Sequence, residues 1–420
     1  MPSSPLSYRG FRFYWSARFL TGFAIQVLSV SVAWRIYALT GDPFLLGLVG
    51  LVQFLPSPLL VLVTGAVADR FNRRRLMALC LMAEAVCAMA LLWLLSVRTD
   101  AGANIWPVFV VLSVFGVARA FMGPVIQSLV SNLVPASVLP KAIAFNSSSF
   151  QFATITGPVV GGLVYDASPL AAFATAVVFF MAASAMALAI PKPQARTMPA
   201  PATANSLLAG FRFIKSNPVV FGAMTLDMVA VLLGGAIALL PVYASDILHT
   251  GPLGLGLLRS AAGVGAVSVS LWLMRNPIND NAGRAMLTGV VVFGIAIIIF
   301  GLSRSLWLSV VALVAMGGAD MVSVFVRQTL IQVNTPDELR GRVNAVNMTF
   351  IGASNELGEF RAGSMAAIFG AVPAVVIGGI GTVLAAVTWM RLFPQLREVR
   401  RLDRVVLVRE GAAGKDAGKR

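Results

Sequence analysis

Glu356 and Glu359 stand three residues apart in a stretch otherwise poor in charge, with Arg361 two positions further on. On a helix that spacing puts both carboxyl groups on one face. Like charges that close do not both ionise cheaply, so the pair suits reversible binding of a proton. Asp227, Asp320 and Glu84 are further acids inside apolar runs, and Arg119 and Arg327 are bases in the same setting. Asp320 and Arg327 are seven apart and share a helix face, while Glu84 has a simpler reading as the partner of a neighbouring polar group. A charge in a hydrocarbon setting costs about 3 kcal/mol or more, so each of these needs a partner, a water path or a function. Other chemistry has little to build on. The one histidine, His249, falls in a loop, and Cys80 and Cys87 lie seven apart on one helix, out of disulfide reach, so no metal site is expected.

The elements that must hold these charges are membrane spans. The chain has 420 residues, 58% hydrophobic and 12% charged, with mean hydropathy +0.85. Apolar runs predict twelve helices, at about 14–38, 44–68, 76–97, 105–130, 142–165, 169–190, 218–245, 254–274, 285–303, 305–331, 343–370 and 373–393. Pro241 breaks the seventh, and Glu356, Glu359 and Arg361 fall in the eleventh. Transmembrane β-strands are excluded, because they would need shorter segments of alternating polarity. There is no G-x-x-x-x-G-K-[ST] loop and no room for a nucleotide-hydrolysing domain, so the chain is not expected to be an enzyme. No cofactor is expected; a proton gradient would supply the energy.

The net charge of +15 is distributed by loop. Arg9 and Arg12, the cluster at Arg70–Arg75, Lys141, the 192–215 region, Arg275 and Arg284, Arg340 and Arg342, and the tail after Arg391 fall on one side. Arg35, Arg98 and Arg304 fall on the other, with Arg259 a further candidate for that side. The positive-inside rule then puts both termini in the cytoplasm, with the chain in a bacterial inner membrane. The basic tail, with Arg397, Arg400, Arg401, Arg404 and Arg409, is read as an anchor on anionic lipid headgroups; no nucleic-acid partner is expected. The first apolar run is too long for a cleavable signal peptide.

The chain repeats itself. The stretch from Gln127 aligns without a gap on the stretch from Gln328, an offset of 201 residues that pairs Leu129 with Leu330, Pro135 with Pro336, Asn146 with Asn347, Gly157 with Gly358 and Gly162 with Gly363. Parallel repeats of this kind build transporters from two six-helix halves around a central path. The same offset relates Arg119 to Asp320, which suggests that the two face one cavity and interact directly or through water. The expected divisions are an N-terminal bundle, 1–190; a cytoplasmic linker with an amphipathic helix, 191–217; a C-terminal bundle, 218–393; and a basic tail, 394–420. Ser206 is a plausible N-cap for the linker helix, whose apolar face carries Leu207, Leu208, Phe211 and Ile214 and would lie on the inner membrane surface.

The stretch GAVADRFNRRRLM, Gly65 to Met77, falls in the cytoplasmic loop after the second span. Asp69 there meets the unfavourable end of a helix dipole and needs a positive partner, and Gly65 permits close helix approach. The stretch resembles the G-x-L-A-D-R-x-G-R-[RK]-[RK] motif of the major facilitator superfamily at Gly65, Asp69, Arg70, Arg73, Arg74 and Arg75, with Asn72 replacing the second glycine in what would be a left-handed position. The resemblance covers nearly the whole chain and implies a latch between the halves. GPVVGG, with Gly157, Pro158, Gly161 and Gly162, resembles the end of the helix-kinking antiporter motif, without its upstream glycines. RAFMG resembles the R-x-x-x-G motif and puts Arg119 in the coupling position, with Gly123 one turn on. SLLAGFRF and TPDELRGRVNAVN point to the drug- and siderophore-efflux branch. The resemblance implies an all-α membrane protein of twelve helices in two pseudo-symmetric bundles, with at least one of Asp227, Asp320, Glu356 and Glu359 carrying the coupled proton. Gln53, Asn146 and Gln151, with Trp34, Phe54, Phe150 and Phe152, are candidate cavity residues. The function implied is proton-coupled export of a small hydrophobic or siderophore-like molecule by a monomer, the alternative being a nutrient uptake symporter or uniporter. Reporter fusions at Asn72 and Asn205 are expected on the same, cytoplasmic, face; activity of the two on opposite faces would remove the twelve-span topology.

Overall fold

A computed structural model describes residues 4–97, 104–130, 132–191, 204–278 and 280–399. Among them regular structure is wholly helical. In order, the helices are α1 (Arg9–Thr40), α2 (Pro43–Phe54), α3 (Pro56–Arg70), α4 (Arg73–Val97), α5 (Trp106–Val130), α6 (Leu139–Ala167), α7 (Pro169–Ala189), α8 (Ala204–Ser216), α9 (Pro218–Gly234), α10 (Leu240–Val242), α11 (Gly251–Arg275), α12 (Ala282–Leu302), α13 (Leu306–Asn334), α14 (Asp337–Phe369), α15 (Ala371–Leu392) and α16 (Pro394–Arg397). Among the described residues ten spans are long and apolar enough to cross a bilayer, α2 with α3 and α9 with α10 each serving as one. α6 and α14 are long enough but more polar, carrying Asn146 and Gln151 in one and Glu356, Glu359 and Arg361 in the other. With these two, the twelve expected spans are all present.

Local sequence sets the boundaries. Gly41, at φ +63°, closes α1 in the left-handed conformation, its N–H donating to the Tyr37 carbonyl at 2.8 Å. Asp42 then caps α2, accepting from the Phe44 N–H at 2.9 Å, with Pro43 in the first turn. Asn217 does the same for α9 through Val219 and Val220. Two local expectations change. Asn72 is not left-handed; its Oδ1 accepts from the N–H groups of Arg74 and Arg75, so it caps α4 instead of imitating a glycine. α8 starts at Ala204, two residues before Ser206, so Ser206 is not its N-cap. The expected seventh span breaks at Gly235 and Ala236, ahead of Pro241, and resumes through α10 and a π-helical turn, Tyr243–Ile247. Lys192, Arg196, Arg98 and the tail from Arg400 lie outside the described residues.

By its contacts the chain forms two compact units. One joins Met1–Ala202 with Ala238–Ser260, the other Thr203–Ile237 with Ala261–Arg420. Neighbour relations repeat between them: α1 packs on α6 and α7, and α4 on α5 and α7, as α9 packs on α14 and α15, and α12 on α13 and α15. This is the internal repeat seen as packing. Because lipid is as apolar as leucine, close fit and interhelical hydrogen bonds hold such helices together. The α12–α15 crossing is reciprocal: a Cβ at Gly294 would lie 2.9 Å from the Gly379 carbonyl oxygen, and one at Gly379 would lie 2.8 Å from that of Gly294. In the first unit the matching α4–α7 crossing carries alanines and a hydrogen bond from buried Ser184 to the Ala78 carbonyl, 2.9 Å. α8 packs on α14 and α9, with Ile214 buried and Gly210 set against the Arg342 backbone. Leu208 and Phe211 stay exposed, so only part of its apolar face is used within the protein.

Gly379→Leu is expected to destabilise the second unit by about 1–3 kcal/mol, the usual cost of overpacking. The measurement is the thermal unfolding midpoint of the purified protein in detergent, and an unchanged midpoint would show that this crossing is not close-packed.

Candidate functional site

The second unit buries an ion pair. Arg327 on α13 places Nη2 3.2 Å from Oδ2 of Asp227 on α9, with the residues 2% and 6% exposed. Arg327 Nη1 donates to Oδ1 of Asn347 on α14 at 3.0 Å, so one guanidinium ties three helices together. Asp320, two turns before Arg327 on α13, lies in the field of both Asp227 and Arg327. Asp227, Asp320 and Ser323 share a void of about 10 Å³ with Val290 and Phe293, roughly the space for one water centre. The buried Ser323 hydroxyl has no hydrogen-bond partner among the described residues. With the Arg327 guanidinium paired to Asp227, two carboxyl groups near one guanidinium leave one negative charge uncompensated unless one of them holds a proton. Such a cluster can take up and release a proton.

Next to it the chain is deliberately interrupted. Where α9 stops, the carbonyls of Leu232 and Leu233 have no helical partner, and Arg361 of α14 fills the gap, its Nε 2.9 Å from one and its Nη2 2.5 Å from the other. Gly358 and Gly378 let the neighbouring backbones approach this break, and Thr382 donates to the Ala230 carbonyl at 3.1 Å. Arg361 therefore serves the backbone of α9 and is not simply a countercharge for the expected pair. Glu356 and Glu359, both partly buried, stand on the same stretch of α14, and the backbone of Glu359 meets Gly235.

In the first unit Glu84 of α4 is 1% exposed and lies in the field of Arg119 on α5 and Arg18 on α1. Glu84 Oε2, Arg18 Nε and the Tyr14 hydroxyl are buried without hydrogen-bond partners among the described residues. Arg119 is exposed and Gly123 meets nothing within 4 Å. Arg119 thus has Glu84 as a charged neighbour within its own unit, and Asp320 has Arg327 and Asp227 within its own. Of the expected cavity residues, Gln53 is half-buried with its backbone against Gly116, Asn146 has a buried Oδ1 without a described partner, and Gln151 is exposed. Sequence reasoning missed an aromatic stripe. Trp15, Phe19 and Phe23 follow one another on α1, with ring centroids 5.5 and 5.0 Å apart, and Phe152 of α6 closes on Phe19 at 6.1 Å. The i, i+4 spacing of aromatics on one helix was the available signal.

The two motif regions have separate local roles. Arg74 donates to the Ile190 carbonyl at the end of α7, 2.8 Å away, whereas Arg70 and Arg75 are exposed and Arg73 is half-buried. A Cβ at Gly65 would meet nothing within 4 Å among the described residues, and the Asp69 side chain lies outside them. In GPVVGG, Gly157 and Gly161 press α6 onto α1 at Gln26 and Val27. Gly162 faces the Pro252 carbonyl, 2.5 Å from where a Cβ would sit, and Pro158 lies against Gly256. α6 continues as helix through Pro158, and the glycines of the motif form a close-packing face. The same end of the unit holds a Tyr37 to Asp246 hydrogen bond and one from Arg259 to Ser29, 2.6 Å. These contacts explain why Ala238–Ser260 packs with the first-half helices.

Similarity searches agree with this architecture. The chain is 26% identical over 403 residues to the enterobactin exporter EntS of Citrobacter koseri, covering 93% of each chain. It is 26% identical over 416 residues to EntS of Escherichia coli O157:H7, covering 96% of each. Among solved structures, a bacterial homologue of the iron transporter ferroportin in its inward-facing state matches with a TM-score of 0.72 at 15% identity, over 93% of this chain and 99% of that one. A D-xylose–proton symporter matches with a TM-score of 0.68 at 14% identity, over 92% and 98%. At those identities the likeness is one of fold. The family described as "Transmembrane secretion effector" matches residues 1–409. With its twelve spans, repeated packing and intramembrane charges, the chain belongs to this family of major facilitator superfamily transporters.

Proposed function

We propose that this protein is a secondary active exporter in which inward proton flow drives a small, largely hydrophobic or siderophore-like molecule out of the cytoplasm by alternating access. The observation that carries the reading is the Asp227–Arg327 pair with Asp320 beside it in the second unit. Intramembrane carboxyl groups around a single arginine are the equipment of a proton relay, and Ser323 with the small void gives a water a place to bridge them. Asp320 carries the exchanged proton, Asp227 and Asn347 hold Arg327 in position, and Glu356 and Glu359 stand beside the break in α9 where a discontinuous helix can meet substrate. Arg119 with Glu84 forms the corresponding charged group of the first unit.

The direction of transport rests on the secretion family and on the exporter relatives, since uptake systems share the fold. The aromatic stripe of Trp15, Phe19, Phe23 and Phe152 supports a substrate with flat, apolar parts, which such rings hold by stacking. The basic loops support cytoplasmic termini. Gly65 and the arginines after it serve as a latch, a role the open space at Gly65 among the described residues leaves room for.

Everted membrane vesicles given a labelled siderophore-like substrate in the outer medium provide the test. Energised vesicles should accumulate it, a protonophore should abolish accumulation, and Asp320→Asn should lower the gradient-driven component at least tenfold while leaving facilitated exchange measurable. Accumulation only in right-side-out vesicles would establish uptake, and an unaltered Asp320→Asn variant would remove this residue from the relay. Asp227→Asn should instead cost stability, about 3–5 kcal/mol, because it strands a buried guanidinium. Thermal unfolding measures this, and a double substitution Asp227→Asn with Arg327→Gln should recover part of the loss; a single variant as stable as the parent would show that the pair is not structural.

A further inference from the structure

At the start of α12 a polar pocket of about 740 Å³ is walled by Asp280, Asn281, Arg284, Arg397 and Glu398. Asp280, Asn281 and Arg284 are also the rim of a second cavity of about 710 Å³, so the two adjoin across these residues. Beyond that rim the second cavity is lined by small and apolar groups of α11, α12 and α13, among them Val269, Ala285, Val292, Val314 and Val322. From Asn281 to Val292 it follows α12 for about 16 Å, at 1.5 Å per residue. The glycines at its walls, Gly265 and Gly318, set α11 and α13 close together, which shapes the groove. Arg397 and Glu398 are held at the mouth because the C-terminal segment is docked: Leu396 is fully buried, and the Gly283 N–H donates to the Val399 carbonyl at 3.1 Å.

A charged compartment at a helix end, continued by an apolar channel along the helix, matches one kind of ligand, an amphiphile standing in one leaflet. The charges specify its head. Arg284 and Arg397 suit a phosphate, and Asp280 and Glu398 suit an ammonium group. A headgroup without a cation could offer the two carboxylates hydroxyl hydrogen bonds at most and no counter-charge. The chain's own tail is a poor occupant of the groove, since Arg400, Arg401, Asp403 and Arg404 would carry charge into it. We infer that this is a binding site for a phospholipid whose headgroup bears both a phosphate and a primary amine, such as phosphatidylethanolamine, with one acyl chain laid between α11, α12 and α13. The site is separate from the Asp227 cluster and does not depend on the transport reading.

Native mass spectrometry of the full-length, delipidated protein tests this. Phosphatidylethanolamine and phosphatidylglycerol with matched acyl chains are titrated in parallel, and glycerophosphoethanolamine serves as a head without tails. The amine lipid should bind at least roughly tenfold more tightly than the glycerol lipid, and the tail-less head should not compete at equal concentration. Arg284→Ala should lose roughly tenfold in affinity and Arg284→Lys less. Thr288→Phe, which fills the groove without touching the charges, should lose affinity at an unchanged unfolding temperature. Equal affinity for the two lipids, or Arg284→Ala and Thr288→Phe that bind like the parent, would overturn the proposal. Binding that appears only after residues 400–420 are removed would also overturn it and would make the tail the occupant.

Discussion

Hydrocarbon offers no hydrogen bonds, so every backbone N–H and C=O in a spanning segment must find its partner within the protein. Regular helices meet the demand along their length and leave it unmet at their ends. Three arginines answer it here. Arg35 donates to the Leu95 carbonyl near the end of α4, at 3.2 and 3.0 Å; Arg74 donates to Ile190 after α7; and Arg361 donates to Leu232 and Leu233 where α9 stops. In each case a positive charge sits at the negative end of a helix dipole, which adds to the hydrogen bonds. Residues that look like candidates for substrate or proton chemistry are thus partly taken up by the backbone.

The break in α9 makes the same constraint useful. An interrupted helix inside the membrane is tolerated only where its open carbonyls are paired, and the guanidinium of Arg361 with the close approach of Gly358 and Gly378 provides that. The break lies on the helix that also presents Asp227 to Arg327. Movement at Gly234–Gly235 would be felt at the ion pair less than three turns away, and a change of charge on Asp227 or Asp320 would be felt at the break. The buried ion pair and the helix break share one short length of α9.

Glycine and alanine set the distances that everything else relies on. Gly294 against Gly379, and the alanines with Ser184 at the matching crossing of the first unit, reach the same arrangement by different means. In the first unit, Gly157, Gly161 and Gly162 bring α6 onto α1 and onto the start of α11. These contacts hold a segment from the second half of the sequence against helices of the first.

Much of this was legible in order of residues alone. The apolar runs fixed the number and placement of spans, because a bilayer imposes one length on each, and the repeat offset of 201 residues announced two similar bundles. The intramembrane charges were legible as groups in need of partners, since uncompensated charge is costly there. Partners were not legible. Sequence spacing offered Asp320 either Arg119 or Arg327 and set Arg361 beside Glu356 and Glu359, whereas the folded chain pairs Arg327 directly with Asp227, keeps Asp320 in the field of both, and gives Arg361 to the carbonyls of α9. Asn72 likewise turned from a stand-in for glycine into a helix cap. The sequence by itself determined which segments are buried in lipid, because that depends on composition over some twenty residues. Only the tertiary structure decided which charge meets which, because a contact across helices depends on rotation and close approach that no spacing along one helix records.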